Sequence, residues 1–219
     1  MIFTNNKILN GRNLCIVLCL ILGTLHEAHA QTADINKIWT TVGSAGTVDE
    51  ADVGKIFFDR SIAQFGNVIG GNQISLASIR IPQQTQSAVI RYNITPVEGL
   101  FAVKPACFIQ TGNECPGIQL KLRYLASGSN ARVIARLIEV DLATGTEVTR
   151  LSFDSSAFTN SNNYQVQSVA ECGPQVPRQP FDFLNKAYYV ETRLTISGLV
   201  AGSAAGVQVV KVANISCIG

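Results

Sequence analysis

Histidine is nearly absent from this chain: two of its 219 residues are histidine, and both, His26 and His29, lie within the first thirty positions. The chain also lacks the GxSxG, SxxK, GxGxxG and P-loop patterns. Beyond residue 30 there is no imidazole to serve as a general base or as a zinc or copper ligand. We therefore predict no catalytic residue, no metal site and no cofactor, and any catalysis would have to rest on carboxylates, tyrosine or lysine.

Residues 1–30 have the three parts of a secretory signal peptide. Lys7 and Arg12 precede the apolar run LCIVLCLILGTL, and the small-residue sequence AHA closes the segment. The apolar run is too short to span a bilayer, and no later segment is long and apolar enough to do so. We therefore predict cleavage before Gln31 and a secreted protein, extracellular or periplasmic, in which residues 31–219 form one β-sandwich domain.

An excess of charge of either sign is also lacking. The chain has 17 basic and 15 acidic residues, a formal net charge of +2. A nucleic-acid-binding protein typically carries a pronounced basic excess. We therefore predict no nucleic-acid partner, and the overall charge indicates no other partner.

Four cysteines follow the signal segment: Cys107, Cys115, Cys172 and Cys217. An even number of cysteines in an exported protein indicates disulfides, and four cysteines allow three pairings. The short spacing around the turn-like sequence TGNECPG favours a local Cys107–Cys115 bridge, which leaves Cys172 to pair with Cys217. Zinc is the weaker alternative because the paired CxxC spacing is missing.

From residue 74 onward, short runs alternate apolar and polar residues between Gly, Asn, Ser and Pro, whereas helical periodicity is almost absent. In the sequence SAVIRYNIT, Ala88, Ile90 and Tyr92 share one face, and NKAYYVETRLTIS alternates in the same way. Further strands are predicted near 53–58, 74–81, 99–104, 163–170 and 206–216. The pattern predicts an all-β fold: a single-domain, disulfide-stabilised antiparallel β-sandwich, similar to a jelly roll, with about ten strands.

The segment 47–66 is ambiguous. Thr47 and Glu50 have the spacing of a helix capping box, whereas Gly54 and the sequence KIFF favour a strand. We predict β structure here. Trp39, the single tryptophan, is predicted to pack in the core or at an edge rather than to form a platform for sugar stacking.

A hairpin is predicted from the apolar alternation on either side of the turn sequence SGSN. This register places Leu120 opposite Leu137 and Lys121 opposite Arg136. Beyond Leu137 the apolar positions shift by one residue, which predicts a β-bulge near Leu137 and Ile138.

A third strand is predicted to follow the turn sequence ATGT. In this register the bulge brings the uncharged Ser152 beside Arg136, so the third strand does not neutralise that arginine. Farther along, Glu139 lies opposite Arg150, which predicts an ordinary exposed ion pair that contributes little to stability.

Four basic side chains would then share the outer face of the first hairpin and form a candidate ligand-binding strip. They are Lys121, Arg123, Arg132 and Arg136. Like charges placed opposite each other are mildly destabilising, and such a strip attracts anions. The alternative is that acidic side chains from a neighbouring strand balance the strip.

Other clusters have ordinary structural explanations. The acidic sequence around Asp49, Glu50 and Asp52, and the loop beginning at Asp154, contain oxygen ligands of the kind that calcium takes. Neither has the spacing of an EF-hand loop, so solvated turns and Asx-turns are the favoured interpretation. Asparagine sequons occur at Asn93 and Asn214, and they matter only in a host that glycosylates secreted proteins.

These observations predict a secreted, non-catalytic β-sandwich that acts as a binding or structural module outside the cytoplasm. Its expected partner is an anionic polysaccharide or another extracellular surface component. The alternative is a carboxylate-dependent enzyme that acts on extracellular polysaccharide, because that chemistry does not need histidine. Two carboxylates facing each other in a groove would favour the enzyme.

Overall fold

The computed structural model describes residues 38–65, 85–101, 114–173, 176, 179–197 and 203–218. Within these residues the chain forms eleven strands, short 3-10 turns and no α-helix, so no helix there is long and apolar enough to cross a membrane. The strands are β1 (Ile38–Val42), β2 (Thr47–Val48), β3 (Ile56–Asp59), β4 (Ile62–Phe65), β5 (Thr85–Asn93), β6 (Glu114–Ser127), β7 (Ala131–Asp141), β8 (Glu147–Asp154), β9 (Ser161–Cys172), β10 (Lys186–Ser197) and β11 (Ala204–Ile218). The 3-10 turns are Gly43–Ala45, Glu50–Asp52, Glu98–Phe101 and Ser155–Ala157.

The strands form two sheets in which every described pairing is antiparallel. Sheet I has the order β3-β4-β11-β6-β9, with β1 also paired to β11, and sheet II has the order β2-β5-β10-β7-β8. The apolar sides of the two sheets contribute to one hydrophobic core. The predicted all-β antiparallel sandwich is therefore confirmed.

The alternating residues that face inward from the long strands build this core. On β6, Leu120, Leu122 and Tyr124 are fully buried. Burial of each of the two leucine side chains contributes roughly 1.5–3 kcal/mol. The Tyr124 ring meets the Phe153 ring edge to face, with the ring centroids 5.0 Å apart. Because β6 belongs to sheet I and Phe153 to β8 of sheet II, this contact joins the two sheets.

The predicted hairpin between β6 and β7 is wrong. β6 pairs with β11 and β9 in sheet I, whereas β7 pairs with β10 and β8 in sheet II. The SGSN turn is a corner that carries the chain from one sheet to the other. A corner and a hairpin need the same turn-forming residues and bury the same alternate side chains, so the apolar pattern does not distinguish them.

Hydrogen bonds hold each side of this corner to a different sheet. The Ser127 hydroxyl oxygen accepts a bond from the Ala204 N–H at 2.7 Å, and the Asn130 carbonyl accepts one from the Ser197 N–H at 2.9 Å. Gly128 lies between them with a φ of 76°, a conformation that favours glycine.

The second predicted hairpin, β7–β8, is present. The register shifts between Leu137 and Ile138, as the bulge prediction required, and Arg136 lies opposite Ser152. Glu139 lies opposite Val148 rather than Arg150, so the register predicted beyond the bulge is wrong.

The ion pair predicted from that register nevertheless forms. The Nη1 atom of Arg150 lies 2.6 Å from Oε2 of Glu139, and the two side chains are only 19% and 14% exposed. The pair is thus more buried than predicted. Arg150 is the extra residue of the bulge, and Glu139 lies near the end of β7 in phase with the inward-facing Leu137.

Other predictions from the sequence have mixed outcomes. Segment 47–66 contains strands β2 to β4, which confirms β structure there, and Trp39 is buried at 7% exposure. The strands predicted near 163–170 and 206–216 lie within β9 and β11. The strand predicted at 99–104 begins in a 3-10 turn, and the strand predicted at 74–81 lies outside the described residues.

The two sequons differ in accessibility. Asn93 is exposed at the end of β5, whereas Asn214 is 1% exposed within β11. A glycan is too large and too polar to fit in the core. In the folded protein, therefore, only the Asn93 sequon is accessible for modification.

The predicted Cys172–Cys217 disulfide is present and joins residues 45 positions apart in the sequence. Cys115 is also disulfide-bonded, but Cys107 lies outside the described residues, so its pairing with Cys115 stays a prediction. The Cys172–Cys217 bridge leaves little space above Gly117 of β6, since a Cβ atom there would lie 2.5 Å from Cys217 Sγ.

We expect the substitution Gly117→Ala to lower the free energy of unfolding by about 1–3 kcal/mol, because the added methyl group would collide with the bridge. Removal of the bridge by Cys172→Ala with Cys217→Ala is expected to remove about 2–4 kcal/mol. Urea unfolding of both variants and of their combination is the measurement. Gly117→Ala should destabilise the protein less when the bridge is absent, and an equal loss in both backgrounds would contradict this explanation.

Candidate functional site

The four basic residues predicted to share one strip lie on opposite outer sides of the sandwich. Lys121 and Arg123 alternate with buried residues of β6 and project from the outer face of sheet I. Arg132 and Arg136 alternate with buried residues of β7 and project from the outer face of sheet II. The placement of Lys121 opposite Arg136 is therefore wrong, because β6 and β7 are not neighbours in one sheet.

On sheet I, Lys121 does lie opposite a like charge, but the partner is Lys211 of β11. Directly opposed side chains on neighbouring antiparallel strands have Cβ atoms roughly 4.5–5.5 Å apart. Arg123 follows on the same face, one pleat farther along β6. We call these three residues, Lys121, Arg123 and Lys211, the basic patch.

The described residues that lie directly opposite members of the basic patch on β9 and β1 are uncharged. Ser168 of β9 lies opposite Lys121, and Val166 lies opposite Arg123. On the other side, Thr40 of β1 lies opposite Lys211. Among the described residues, no carboxylate forms an ion pair with any member of the basic patch.

The outer face of sheet II differs because acidic residues accompany its arginines. The Arg132 guanidinium donates two hydrogen bonds to the Asp154 carboxylate. The side-chain bond from Arg132 is the largest cause of a pKa of Asp154 well below the ordinary value. Arg136 lies opposite Glu191 of β10. For Arg132, the alternative interpretation of neutralisation by a neighbouring acidic residue describes the structure, whereas Glu191 forms its ion pair with Arg91.

A shallow depression on sheet II is lined by Ile134, Arg136, Glu191 and Arg193. Glu191 also pairs with Arg91 at 3.3 Å, and Arg91 in turn contacts Asp49. The depression therefore combines two arginines with an acidic residue that is already paired, so its charge is mixed rather than uniformly positive.

In the part of the chain that the structure describes, carboxylates converge at two places, and in each place a cation separates them. Arg91 lies between Asp49 and Glu191, and Lys186 lies between Glu139 and Asp141. The hydrogen bond from Lys186 lowers the pKa of Asp141 to about 2. A catalytic general acid needs the opposite shift, toward neutral pH. At neither place among the described residues do two carboxylates face each other without a cation between them.

The acidic loops form ordinary turns. Asp52 accepts bonds from Lys55 at 2.6 Å and from the Val89 N–H at 2.8 Å. Asp154 accepts a bond from the Ser156 N–H at 3.0 Å, as in an Asx-turn. No group of three or more His, Cys, Asp or Glu side chains that could hold a metal ion occurs in the described part of the chain.

No protein-family model matches the chain, and no curated protein matches it in sequence. Weak structural similarity exists to a family two carbohydrate esterase from Cellvibrio japonicus, with a TM-score of 0.32 and 10% identity over 82% of this chain and 34% of the esterase chain. The insecticidal delta-endotoxin Cry8Ea1 from Bacillus thuringiensis gives a TM-score of 0.30 and 15% identity over 61% of this chain and 19% of the toxin chain. A structure of infectious bursal disease virus, Gx strain, gives a TM-score of 0.32 and 9% identity over 84% of this chain and 32% of the viral chain. The chain spans about a third or less of each neighbour, and similarity this weak carries no argument about function.

We expect the substitution Asp141→Asn to lower the melting temperature at pH 6, with the difference from the parent protein narrowing between pH 4 and pH 2. The folded-state pKa of Asp141, about 2, lies below the ordinary value of 3.8. Its ionised form therefore stabilises the fold above pH 4, and this contribution is lost as the pH falls through the folded-state pKa. Thermal melts across this range test the prediction, because the other carboxylates are common to both proteins. A difference that stayed constant with pH would contradict it.

Proposed function

We propose that the protein is a secreted, non-catalytic binding module that holds an anionic polysaccharide on the outer face of sheet I. The observation that carries this proposal is the basic patch, in which Lys121 lies opposite Lys211 with Arg123 beside them and no described acidic partner. The signal segment favours a partner outside the cytoplasm, where acidic polysaccharides are an abundant source of fixed negative charge.

Charge repulsion within the patch supports an anionic ligand. Like charges that lie directly opposite each other destabilise a sheet. A bound sulfate or carboxylate group would neutralise the lysines and relieve that repulsion. Sheet II shows that this protein can place acidic residues beside outward arginines, as it does for Arg132 and Asp154. Among the described residues of sheet I, no acidic side chain provides such compensation around the patch.

The shape of the site favours a polymer over a small molecule. The patch lies on a sheet surface rather than in an enclosed pocket, so a small anion would remain largely solvated. Lys121 and Lys211 lie on neighbouring strands, which are roughly 4.8 Å apart. Lys121 and Arg123 are two residues apart on β6, a distance of roughly 6.6 Å along the strand. Exposed valines adjoin the patch, with Val42 41% exposed and Val166 50% exposed. A polymer with regularly spaced charges can contact several of these side chains at once.

We expect binding to be weak and strongly dependent on salt. Exposed ion pairs contribute roughly 0.2–1 kcal/mol each and are screened over about 8 Å at physiological ionic strength. Long-range attraction and charge-assisted hydrogen bonds would both weaken as salt is added. Affinity therefore depends on many repeated contacts along the polymer.

The substitutions Lys121→Gln and Lys211→Gln together should weaken binding to a sulfated or uronate-rich polysaccharide roughly tenfold at low salt, since two ion pairs would be lost. The matched control is Arg136→Gln with Arg193→Gln, which removes the same amount of charge from sheet II. Elution salt from a polysaccharide resin is the measurement, with thermal melts to confirm that all proteins are folded. Equal weakening by both pairs would show a nonspecific charge effect, and unchanged elution of the sheet I variant would reject the site.

A further inference from the structure

Three cysteines lie together on one face of sheet I, near the ends of three neighbouring strands. Cys115 of β6 lies directly opposite Cys217 of β11, and opposed residues of an antiparallel pair project from the same face. Cys217 is bonded to Cys172 of β9. This bridge passes above β6 at Gly117, where a Cβ atom would lie 2.5 Å from Cys217 Sγ. The sulfur of Cys217 therefore lies close to β6, the strand that carries Cys115.

The register makes a second bridge geometrically possible. The Cα atoms of directly opposed residues in an antiparallel pair are roughly 4.5 or 5.5 Å apart. Disulfide-bonded cysteines usually have Cα atoms roughly 4.4–6.8 Å apart. A Cys115–Cys217 bond therefore needs no change in the pairing of β6 with β11. Cys217 thus has two cysteines within bonding reach, its present partner and Cys115.

The present bond of Cys115 keeps it from reacting with that neighbour. Cys115 is disulfide-bonded, and its partner is neither Cys172 nor Cys217, because those two are bonded to each other. The nucleophile in thiol–disulfide exchange is a thiolate, which a bonded cysteine does not provide. Opening the Cys115 bond would place a thiol beside an intact disulfide.

We propose that these three cysteines form a thiol–disulfide exchange site whose co-reactant is a small external thiol. The external thiolate attacks the partner sulfur of the Cys115 disulfide, forms a mixed disulfide with it, and releases the Cys115 thiolate. That thiolate then attacks Cys217 Sγ: the Cys115–Cys217 bond forms, the Cys172–Cys217 bond breaks, and Cys172 leaves as a thiolate. Each step replaces one disulfide with another, so no oxidant or further reductant is consumed.

The exchange moves the reactive thiol from a buried position to the surface. Cys115 is 9% exposed, whereas Cys172 is exposed at the end of β9. Exchange with molecules in solution depends on access to the sulfur as well as on its ionisation. Cys172 is therefore the residue at which the protein forms a mixed disulfide with the external thiol.

The test compares two variants of the full chain, exported by an expression host, that each leave one unpaired cysteine. Cys107→Ser removes the cysteine that the sequence predicts as the partner of Cys115, and so leaves the attacking thiol in place. The matched control, Cys115→Ser, removes the attacking sulfur. Both proteins are held at about pH 8.5, near the ordinary pKa of a cysteine thiol. They are then quenched with acid, alkylated and analysed by non-reducing peptide mapping, and thermal melts establish that they are folded.

The two variants are expected to give different maps. For Cys107→Ser, we expect a peptide linked through Cys115 and Cys217, together with alkylated Cys172. Each should be found in at least about a tenth of the molecules, which corresponds to pairings that differ no more than about tenfold in population. For Cys115→Ser, alkylation should stay on Cys107, and the Cys172–Cys217 peptide should stay intact.

The parent protein gives a second measurement that does not depend on the folding of either variant. Incubation with reduced glutathione should yield a glutathione adduct on Cys172 together with the Cys115–Cys217 peptide. Opening of the Cys115 bond without formation of that peptide would overturn the proposal.

Three results with the folded variants would also overturn it. The first is a Cys107→Ser protein whose alkylated residue is Cys115 alone. The second is a bond from Cys115 to Cys172, because the attacked sulfur would then be the wrong one. The third is equal release of Cys172 in both variants, since Cys115 would then not be the nucleophile. No polysaccharide is present, so these results are independent of the proposed function.

Discussion

Burial of alternate residues on β6 determines the arrangement of the outer surface of sheet I. Since Leu120, Leu122 and Tyr124 are fully buried, Lys121 and Arg123 must project on the other side of the strand. A shift of one residue would bring the two cations into the core, where an unpaired charge is very unfavourable. The positions of the cations therefore follow from hydrophobic packing, whether or not a ligand binds them.

The sequence predicted local features well because they depend on neighbouring residues. Alternation identified the inner faces of β5 and β10, the phase change at Leu137 identified the bulge, and cysteine number with spacing identified the Cys172–Cys217 bridge. The partner of Lys121 was not predictable in this way. Lys211 lies ninety residues farther along the chain, and several long strands of the sandwich alternate similarly, so no local signal identifies β11 as the neighbour of β6.

The mistaken hairpin shows where pattern reasoning becomes ambiguous. A short polar turn between two alternating strands suits both a hairpin and a corner between two packed sheets. The distinction depends on contacts that the turn itself does not contain, here the hydrogen bonds from the Ala204 N–H to Ser127 and from the Ser197 N–H to Asn130. The predicted charges were therefore on the correct sides of their strands but were assigned to one surface instead of two.

The disulfide affects how the molecule would respond to tension. Cys217 lies on the last described strand, and Cys172 lies at the end of the edge strand, with β6 between these two strands. A force applied to the chain beyond Cys217 passes through the covalent bridge into β9 as well as into β11. Separating the strands one hydrogen bond at a time from that end is then blocked, and many bonds must shear together.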